Sequence, residues 1–463
     1  MKEKESVRVT PRASNTEFMD NGFSEEPTLG PYDYTWMGQL SDTKKLSDLS
    51  IPGTHDSMAN STAFYDVTKI AVTQSLYLTT QFSAGIRFID IRLKYNKPYE
   101  TLECFHGPVW LGAYFDDVLK DVKSFLVNAS PSETIYMSIA QETSSVNDND
   151  FANKVRAYCD AFAPGLRYTG GSTNQNPTLA QTRGKFVILL NINNYSATTH
   201  GDLGINYRST SFNKQDAWQI GGEQKVELVN AHLRAANNRS TSNTTTYVNY
   251  LSSNLGFSGE PKYNARFVNP EVTSYLFSQK FKYVGVVIAD FPGRAFIREI
   301  IQANFGIPIR DGTVARMVPC KNTGGTGNYV LDMHTDDNSQ VTLWQGHGGL
   351  NQQWVFKYDF DTKRYSIINV WNPSKGLVAL RVADGIRYAT LYDVNSSTGI
   401  SSFHVKEVAP GEYLFVDVDN HNMRRGNNTT KNYNGLLLRW PNNNEGDLAS
   451  HSWKLWNNAG KML

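Results

Sequence analysis

Cysteine is scarce: Cys104, Cys159 and Cys320 are the three in 463 residues, an odd number and widely spaced. That pattern builds no disulfide framework, so burial must hold the fold and each thiol reads as a small hydrophobe. An excess of one charge is missing too. The 45 Lys and Arg residues face 44 Asp and Glu, for a formal net charge of +1, which argues against nucleic acid as a partner and against strong attraction to an anionic surface. No apolar run approaches the ~20 residues of a transmembrane helix, so any lipid is met from the aqueous side. The opening Met1-Lys2-Glu3-Lys4-Glu5 lacks the apolar core of a signal peptide.

What the chain does have is length and pattern. At about 100 to 200 residues per domain, relaxed to about 250 for barrels, 463 residues imply two domains. Residues 1–30 are charged, Ser/Asn-rich and without period, and read as a polar N-terminal tail lying on or beside the first domain. Residues 31–308 alternate strand and helix. After a strand at Ile51-Pro52-Gly53-Thr54 comes helical spacing from Gln74 to Ala84. Leu111 to Ala129 then puts Phe115, Val118, Leu119, Val122, Phe125 and Leu126 on one helical face. Glu133 to Ile139 is a strand, Asp150 to Phe162 a helix, and Lys185 to Leu190 an almost wholly apolar strand buried on both faces. Helices at Glu223 to Ala236, Pro270 to Phe281 and Ala295 to Phe305 alternate with strands at Tyr247 to Leu251 and Tyr283 to Ala289. Seven strands are clear and an eighth is read near Tyr207 to Phe212. This predicts an α/β fold, an irregular (β/α)8 TIM-like barrel with its chemistry at the C-terminal strand ends.

Residues 309–463 change character, to short strands and Gly/Asn-rich turns without helical periods, as in an all-β module. Val341-Thr342-Leu343-Trp344 precedes Asn351-Gln352-Gln353-Trp354, Ala389 to Tyr392 precedes Ser402-Phe403-His404-Val405, and Leu436 to Trp440 precedes Ser450-His451-Ser452-Trp453. Units recurring at about 50 residues imply threefold repetition.

The chemistry-bearing residues crowd between Leu46 and His106. In Phe88-Ile89-Asp90-Ile91-Arg92 the side chains alternate, so Asp90 and Arg92 share a face. At Ile51-Pro52-Gly53-Thr54-His55 the proline ends the ladder and the glycine turns the backbone, leaving His55 at the lip; Phe105-His106-Gly107-Pro108 repeats that arrangement. Any one of these is an ordinary solvated strand end. Three in succession point to a catalytic site. Cleaving a phosphodiester with an internal hydroxyl needs a base, an acid and positive charge over the non-bridging oxygens. Two imidazoles suit the first two near neutral pH, and a guanidinium fork suits the third.

Ile51-Pro52-Gly53-Thr54-His55-Asp56-Ser57, Asp90-Ile91-Arg92, His106-Gly107-Pro108, Pro131-Ser132-Glu133-Thr134-Ile135 and Val287-Ile288-Ala289-Asp290 together resemble the bacterial phosphatidylinositol-specific phospholipase C family. The resemblance implies cleavage of membrane phosphatidylinositol to diacylglycerol and inositol 1,2-cyclic phosphate, by an exported, extracellular enzyme. It implies that His55, oriented by Asp290, is the base, that His106, hydrogen-bonded to Asp56, is the acid, that Arg92 grips the phosphate, and that Asp90 orients its neighbours. Asp216 and Trp218 match a segment in which an aspartate bonds inositol hydroxyls and an aromatic stacks on the ring. Basic residues that the family often places after its fourth and fifth strands are absent from Ser138 to Glu142 and Asn191 to Asn194. Trp110, Leu111, Phe257 and the Phe64-Tyr65 pair are candidates for an apolar rim facing lipid.

No cofactor and no metal is expected, because Arg92 stands where a calcium-using relative would need acidic ligands. The C-terminal repeats resemble the ricin-B-type β-trefoil lectin module, with its Gln-x-Trp signature intact in the first repeat. That resemblance implies one glycan site, at Asp332, Trp344 and Asn351; tryptophans that merely fill a core are the competing reading. For the whole chain, the alternatives are a metal-dependent barrel phosphodiesterase acting on glycerophosphodiesters or sphingomyelin, and a glycan-binding toxin subunit with an inactive barrel.

Overall fold

The computed structural model describes residues 21–29, 35–60, 70–142, 146–254, 260–320, 329–336, 341–359, 362–381, 387–394, 402–409, 411–417, 422–425, 436–439 and 452–457. The chain divides into two compact units, Met19–Gly306 and Ile307–Leu463.

In the first unit the strands are β1 (Ile51–Thr54), β2 (Phe88–Asn96), β3 (Thr101–His106), β4 (Val109–Tyr114), β5 (Thr134–Gln141), β6 (Lys185–Asn191), β7 (Ile205–Asn206), β8 (Phe212–Gln215), β9 (Thr246–Tyr250) and β10 (Val286–Ala289). The helices are α1 (Leu78–Ser83), α2 (Phe115–Lys123), α3 (Asp148–Phe162), α4 (Leu179–Thr182), α5 (Ala197–His200), α6 (Gly222–Asn237), α7 (Pro261–Gln279) and α8 (Arg294–Gln302). The strands pair in parallel in the order β7-β6-β5-β2-β1-β10-β9-β8, and β3 and β4 form an antiparallel extension on β2. This is a curled parallel sheet in an α/β fold. Phe88, Val187, Ile188 and Val286 on its strands are all fully buried, as in a sheet covered on both faces. Gly53 relieves crowding at the centre, since a Cβ there would lie 3.0 Å from both Ile288 Cγ1 and Phe88 Cβ, closer than ordinary contact.

Three details depart from the sequence reading. The eighth strand is not at Tyr207 to Phe212; β7 and β8 flank that turn, and among the described residues no ladder joins them. Tyr207 turns its ring inward, 6.3 Å from that of Phe88 and 5.1 Å from that of Phe212. The helix expected from Leu111 begins at Phe115, because Val109–Tyr114 pairs with β3 through a turn at Gly107, whose φ is +55°. The helix expected from Pro270 begins at Pro261, where a missing N–H costs nothing, and continues through Pro270 because buried Val268, Asn269, Val272 and Thr273 hold it on both sides. Residues 21–29, in the tail read as lying on or beside this domain, bond to it: Ser24 N donates to Phe291 O at 3.1 Å, Gly293 N donates to Gly22 O at 2.8 Å, and Glu25 pairs with Lys262 and Arg266.

The second unit contains β11 (Thr313–Pro319), β12 (Tyr329–Met333), β13 (Val341–Gln345), β14 (Trp354–Asp359), β15 (Arg364–Asn369), β16 (Lys375–Arg381), β17 (Arg387–Asp393), β18 (His404–Ala409), β19 (Glu412–Val416), β20 (Asn422–Arg425), β21 (Leu436–Arg439) and β22 (Trp453–Trp456). Six of them form a ring: β11 pairs with β14 and β22, β14 with β15, β18 with β19, and β19 with β22, while a bridge from Tyr365 to Phe403 joins β15 to the start of β18. The other six pair as β12–β13, β16–β17 and β20–β21. Trp354, Phe403 and Trp453, equivalent in the three sequence repeats, are all buried. The indoles of Trp354 and Trp453 donate to Leu331 O at 3.1 Å and Met423 O at 3.0 Å. Trp440, Ser450 and His451 lie outside the described residues.

Candidate active site

The C-terminal ends of β1, β2, β3 and β10 converge. His55 follows β1 directly, its N–H donating to Ala289 O at 3.1 Å. Its Nδ1 lies 2.7 Å from Asp290 Oδ1 and its Nε2 2.8 Å from an Arg92 guanidinium nitrogen. Because Arg92 can only donate, this geometry assigns the neutral imidazole its proton on Nδ1 and its lone pair on Nε2. The rings of His55 and His106 stand 5.8 Å apart and nearly perpendicular at 87°. His55, Arg92, Asp90, Asp56, His106 and Asp290 therefore share one pocket.

The expected hydrogen bond from His106 to Asp56 is replaced by another. His106 Nδ1 lies 2.8 Å from Ala71 O, whereas Asp56 Oδ2 stands at 3.6 Å. The helix expected from Gln74 begins at Leu78, and the non-helical chain from Ala71 to Gln74 clasps both histidine segments. Thr73 Oγ1 donates to His55 O and Asp56 O, each at 3.0 Å, and Gln74 Nε2 donates to His55 O at 2.8 Å. Those bonds hold Asp56 in the left-handed region, at φ +40°, a conformation unfavourable for a non-glycine residue unless its surroundings enforce it.

Arg92 sits among three carboxylates: Asp90 at 3.2 Å, Glu142 at 3.4 Å and Asp56 at 3.9 Å. Burial alone would lower its pKa, but Asp90, Asp56 and Glu142 outweigh that and hold it above the usual arginine range. Asp56 shows the opposite balance. Burial lifts its carboxyl from 3.8 to about 8 against the pull of Arg92 and His55, so it carries a proton at neutral pH. The unfolded chain would lose that proton first, so stability falls as pH climbs from the ordinary aspartate pKa towards the raised one. Asp56→Asn removes this slope. In thermal melts from about pH 5 to about pH 8, the wild type should lose stability relative to the variant; parallel curves would refute the shift.

Asp216 stands exposed at the mouth; burial of its inner side raises its pKa, while His55, Lys225 and Arg92 draw it down, so it lies in the field of the histidine pair. Trp218 is half exposed. Ile70 is also exposed, but Leu111 is buried as the hairpin packs down, and Trp110 stacks edge-on to Tyr114 at 6.1 Å, so neither matches a free rim residue. Phe64, Tyr65 and Phe257 lie outside the described residues. Sequence reading missed Glu142 as a partner of Arg92, although it ends a strand beside it; it also missed Tyr250, whose ring stands 6.4 Å from that of His55.

In the second unit, Asp332 Oδ2 accepts from Asn351 Nδ2 at 3.0 Å and Gln352 Nε2 at 2.8 Å, with His347 Nε2 at 3.4 Å. Trp344, on the same hairpin as Asp332, is 59% exposed.

Residues 49–191 match the family model described as phosphatidylinositol-specific phospholipase C, X domain. The chain is 33% identical over 282 residues to the 1-phosphatidylinositol phosphodiesterase of Listeria monocytogenes, covering 58% of this chain and 84% of that one. The chain belongs to the phosphatidylinositol-specific phospholipase C family. The Staphylococcus aureus member, a 1-phosphatidylinositol phosphodiesterase, is 32% identical over 298 residues, covering 58% of this chain and 93% of that one. The solved phospholipase C structure from Listeria monocytogenes superposes with a TM-score of 0.51 at 29% identity, covering 58% of this chain and 98% of that one. These matches leave the remainder of the chain unaccounted for.

Proposed function

We propose that this family member cleaves phosphatidylinositol to diacylglycerol and inositol 1,2-cyclic phosphate without a metal, acting on the outer face of membranes from the aqueous side. The observation that carries the reading is the perpendicular histidine pair, 5.8 Å between ring centroids, with a guanidinium at one of its rings. His55 Nε2 is the base: it takes the proton of the inositol 2-hydroxyl as that oxygen bonds to phosphorus, and Asp290 steadies the imidazolium so formed. His106 is the acid. It protonates the diacylglycerol oxygen as the phosphorus–oxygen bond breaks, with Ala71 O fixing its ring. Arg92 exchanges its contact with His55 for the non-bridging oxygens, and Asp90 holds it in place. The cyclic phosphate is then slowly opened by water to the 1-phosphate, the two histidines exchanging roles.

Metal independence is supported by the placement of Arg92 beside Asp90 and Glu142, where a divalent ion would otherwise balance the charge. Phosphatidylinositol and phosphatidylcholine vesicles in excess EDTA test this, with phosphorus NMR of the product. A cyclic phosphate from phosphatidylinositol alone is expected; loss of turnover that calcium restores would overturn it, and would favour the metal-dependent phosphodiesterase reading.

For Ile307–Leu463 we propose a ricin-B-like β-trefoil, supported by the ring of six strands, the three hairpins and the repeated buried Trp354, Phe403 and Trp453. Asp332, Asn351 and Trp344 would form one glycan site, a polar cluster beside an exposed indole, tethering the enzyme to glycosylated surfaces. The domain boundaries follow: a catalytic barrel at 31–308 and the trefoil at 309–463. On a glycan array, Asp332→Ala should abolish whatever binding the wild type shows; an unchanged pattern would move the site elsewhere.

A further inference from the structure

Lys225 belongs to the buried stripe of α6, with Gly222, Val229, Leu233 and Ala236, and its side chain is fully enclosed. An ammonium is ill-placed there twice over. Burial strips its water, and the first turn of a helix presents the positive end of the macrodipole. Burial lowers its pKa to about 8, against the support of Asp216 and Asp290. Such a residue is retained for what it bonds. Its Nζ donates to Ala217 O at 2.8 Å and to Gln215 Oε1 at 3.3 Å. Gln215 Nε2 in turn donates to Asn249 Oδ1 at 2.8 Å and Tyr250 O at 2.9 Å, and Asn249 Nδ2 donates to Val229 O at 3.0 Å. The network ties α6, β9 and the loop after β8 into one body. That loop carries Asp216 and Trp218 to the mouth.

We infer that Lys225 is the positioning residue of the headgroup loop: its buried ammonium grips residues 215–217 from behind, so that Asp216 and Trp218 meet the inositol ring at fixed height. This rests on the proposed phosphatidylinositol reading and adds a determinant of headgroup affinity that never touches substrate. The charged groups facing Lys225 are Asp216, from the loop itself, and Asp290, from the end of β10. Loss of the proton would remove one donor from the loop and weaken the positive field at Asp216, so headgroup affinity falls as pH rises through the lysine's lowered pKa.

Competitive inhibition by free myo-inositol reads this directly. Lys225→Met, of similar length and apolar, should weaken inhibition by about tenfold, the scale of one charge-assisted hydrogen bond, and raise KM in step while kcat changes far less. In the wild type the inhibition constant should rise between about pH 7 and about pH 9.5, and in Lys225→Met it should stay flat. Asp216→Asn should share the loss of inhibition. A Lys225→Met enzyme with the wild-type inhibition constant and pH dependence would overturn the inference, as would a loss confined to kcat. Should that variant not fold, the wild-type series decides: an inhibition constant that ignores pH refutes the role, and one that rises across that window supports it. If the wild type yields no cyclic phosphate from phosphatidylinositol, the failure belongs to the functional reading instead.

Discussion

His55→Ala is expected to lower kcat/KM on phosphatidylinositol by about 10⁴-fold, at the upper end for a positioned base. The physical reason is the isolation of His55 Nε2. Once Arg92 turns to phosphate, His55 Nε2 is left with a free lone pair, and Asp56 is a poor substitute because burial keeps it protonated at neutral pH. His106→Ala should cost nearly as much on the natural lipid. The two part company on an inositol phosphodiester with a phenolic leaving group, which departs without a proton: His106→Ala should recover much of its activity there and His55→Ala should not. Because the two rings serve one transition state, the double variant should be little worse than either single one. Equal recovery by both variants would remove the distinction between base and acid.

The second large effect is at Arg92. Arg92→Ala should reduce kcat by about 10³-fold or more, the scale on which a preorganised cation stabilises charge in phosphoryl chemistry. The loss should fall on kcat rather than on KM, since inositol binding is assigned to other side chains. Arg92→Lys keeps the charge but not the planar fork, and should recover only part of the rate. Removing the guanidinium also strips Asp90, Asp56 and Glu142 of their shared partner, so Arg92→Ala should be less stable than wild type at alkaline pH, where all three ionise. Turnover within tenfold of wild type would place the phosphate elsewhere.

Much of this pocket could be read in the sequence because barrels gather strand ends. His55, Asp90, Arg92, His106 and Asp290 each close or follow an apolar run, and the parallel register of β1 with β2 and β10 brings those runs side by side. What stayed hidden was held by backbone. The carbonyl of Ala71 that orients His106 has no residue signature, and the bonds from Thr73 and Gln74 to the carbonyl of His55 depend on a loop path that no pattern encodes. Lys225 was masked differently, since a lysine in a helical pattern reads as solvent-facing, and only the fold turns it inward. The hairpin at Val109–Tyr114 was obscured because Leu111 continues the apolar spacing of α2. In the second unit the repeats were legible because each unit has a large aromatic that must be buried, whereas the bonds from Gln352 and His347 to Asp332 depend on a loop conformation no pattern encodes.

A parallel sheet that stops short of meeting itself exposes two raw borders, and unpaired strands of that kind recruit other chains into aggregates. Here both borders are stunted. One is the two-residue Ile205–Asn206 and the other the four-residue Phe212–Gln215, where the Lys214 ammonium donates to Tyr207 O at 3.0 Å. Segments this short, with a lysine on one of them, offer a stray strand too few donors and acceptors to hold it. The chain can thus leave its ring open without becoming sticky.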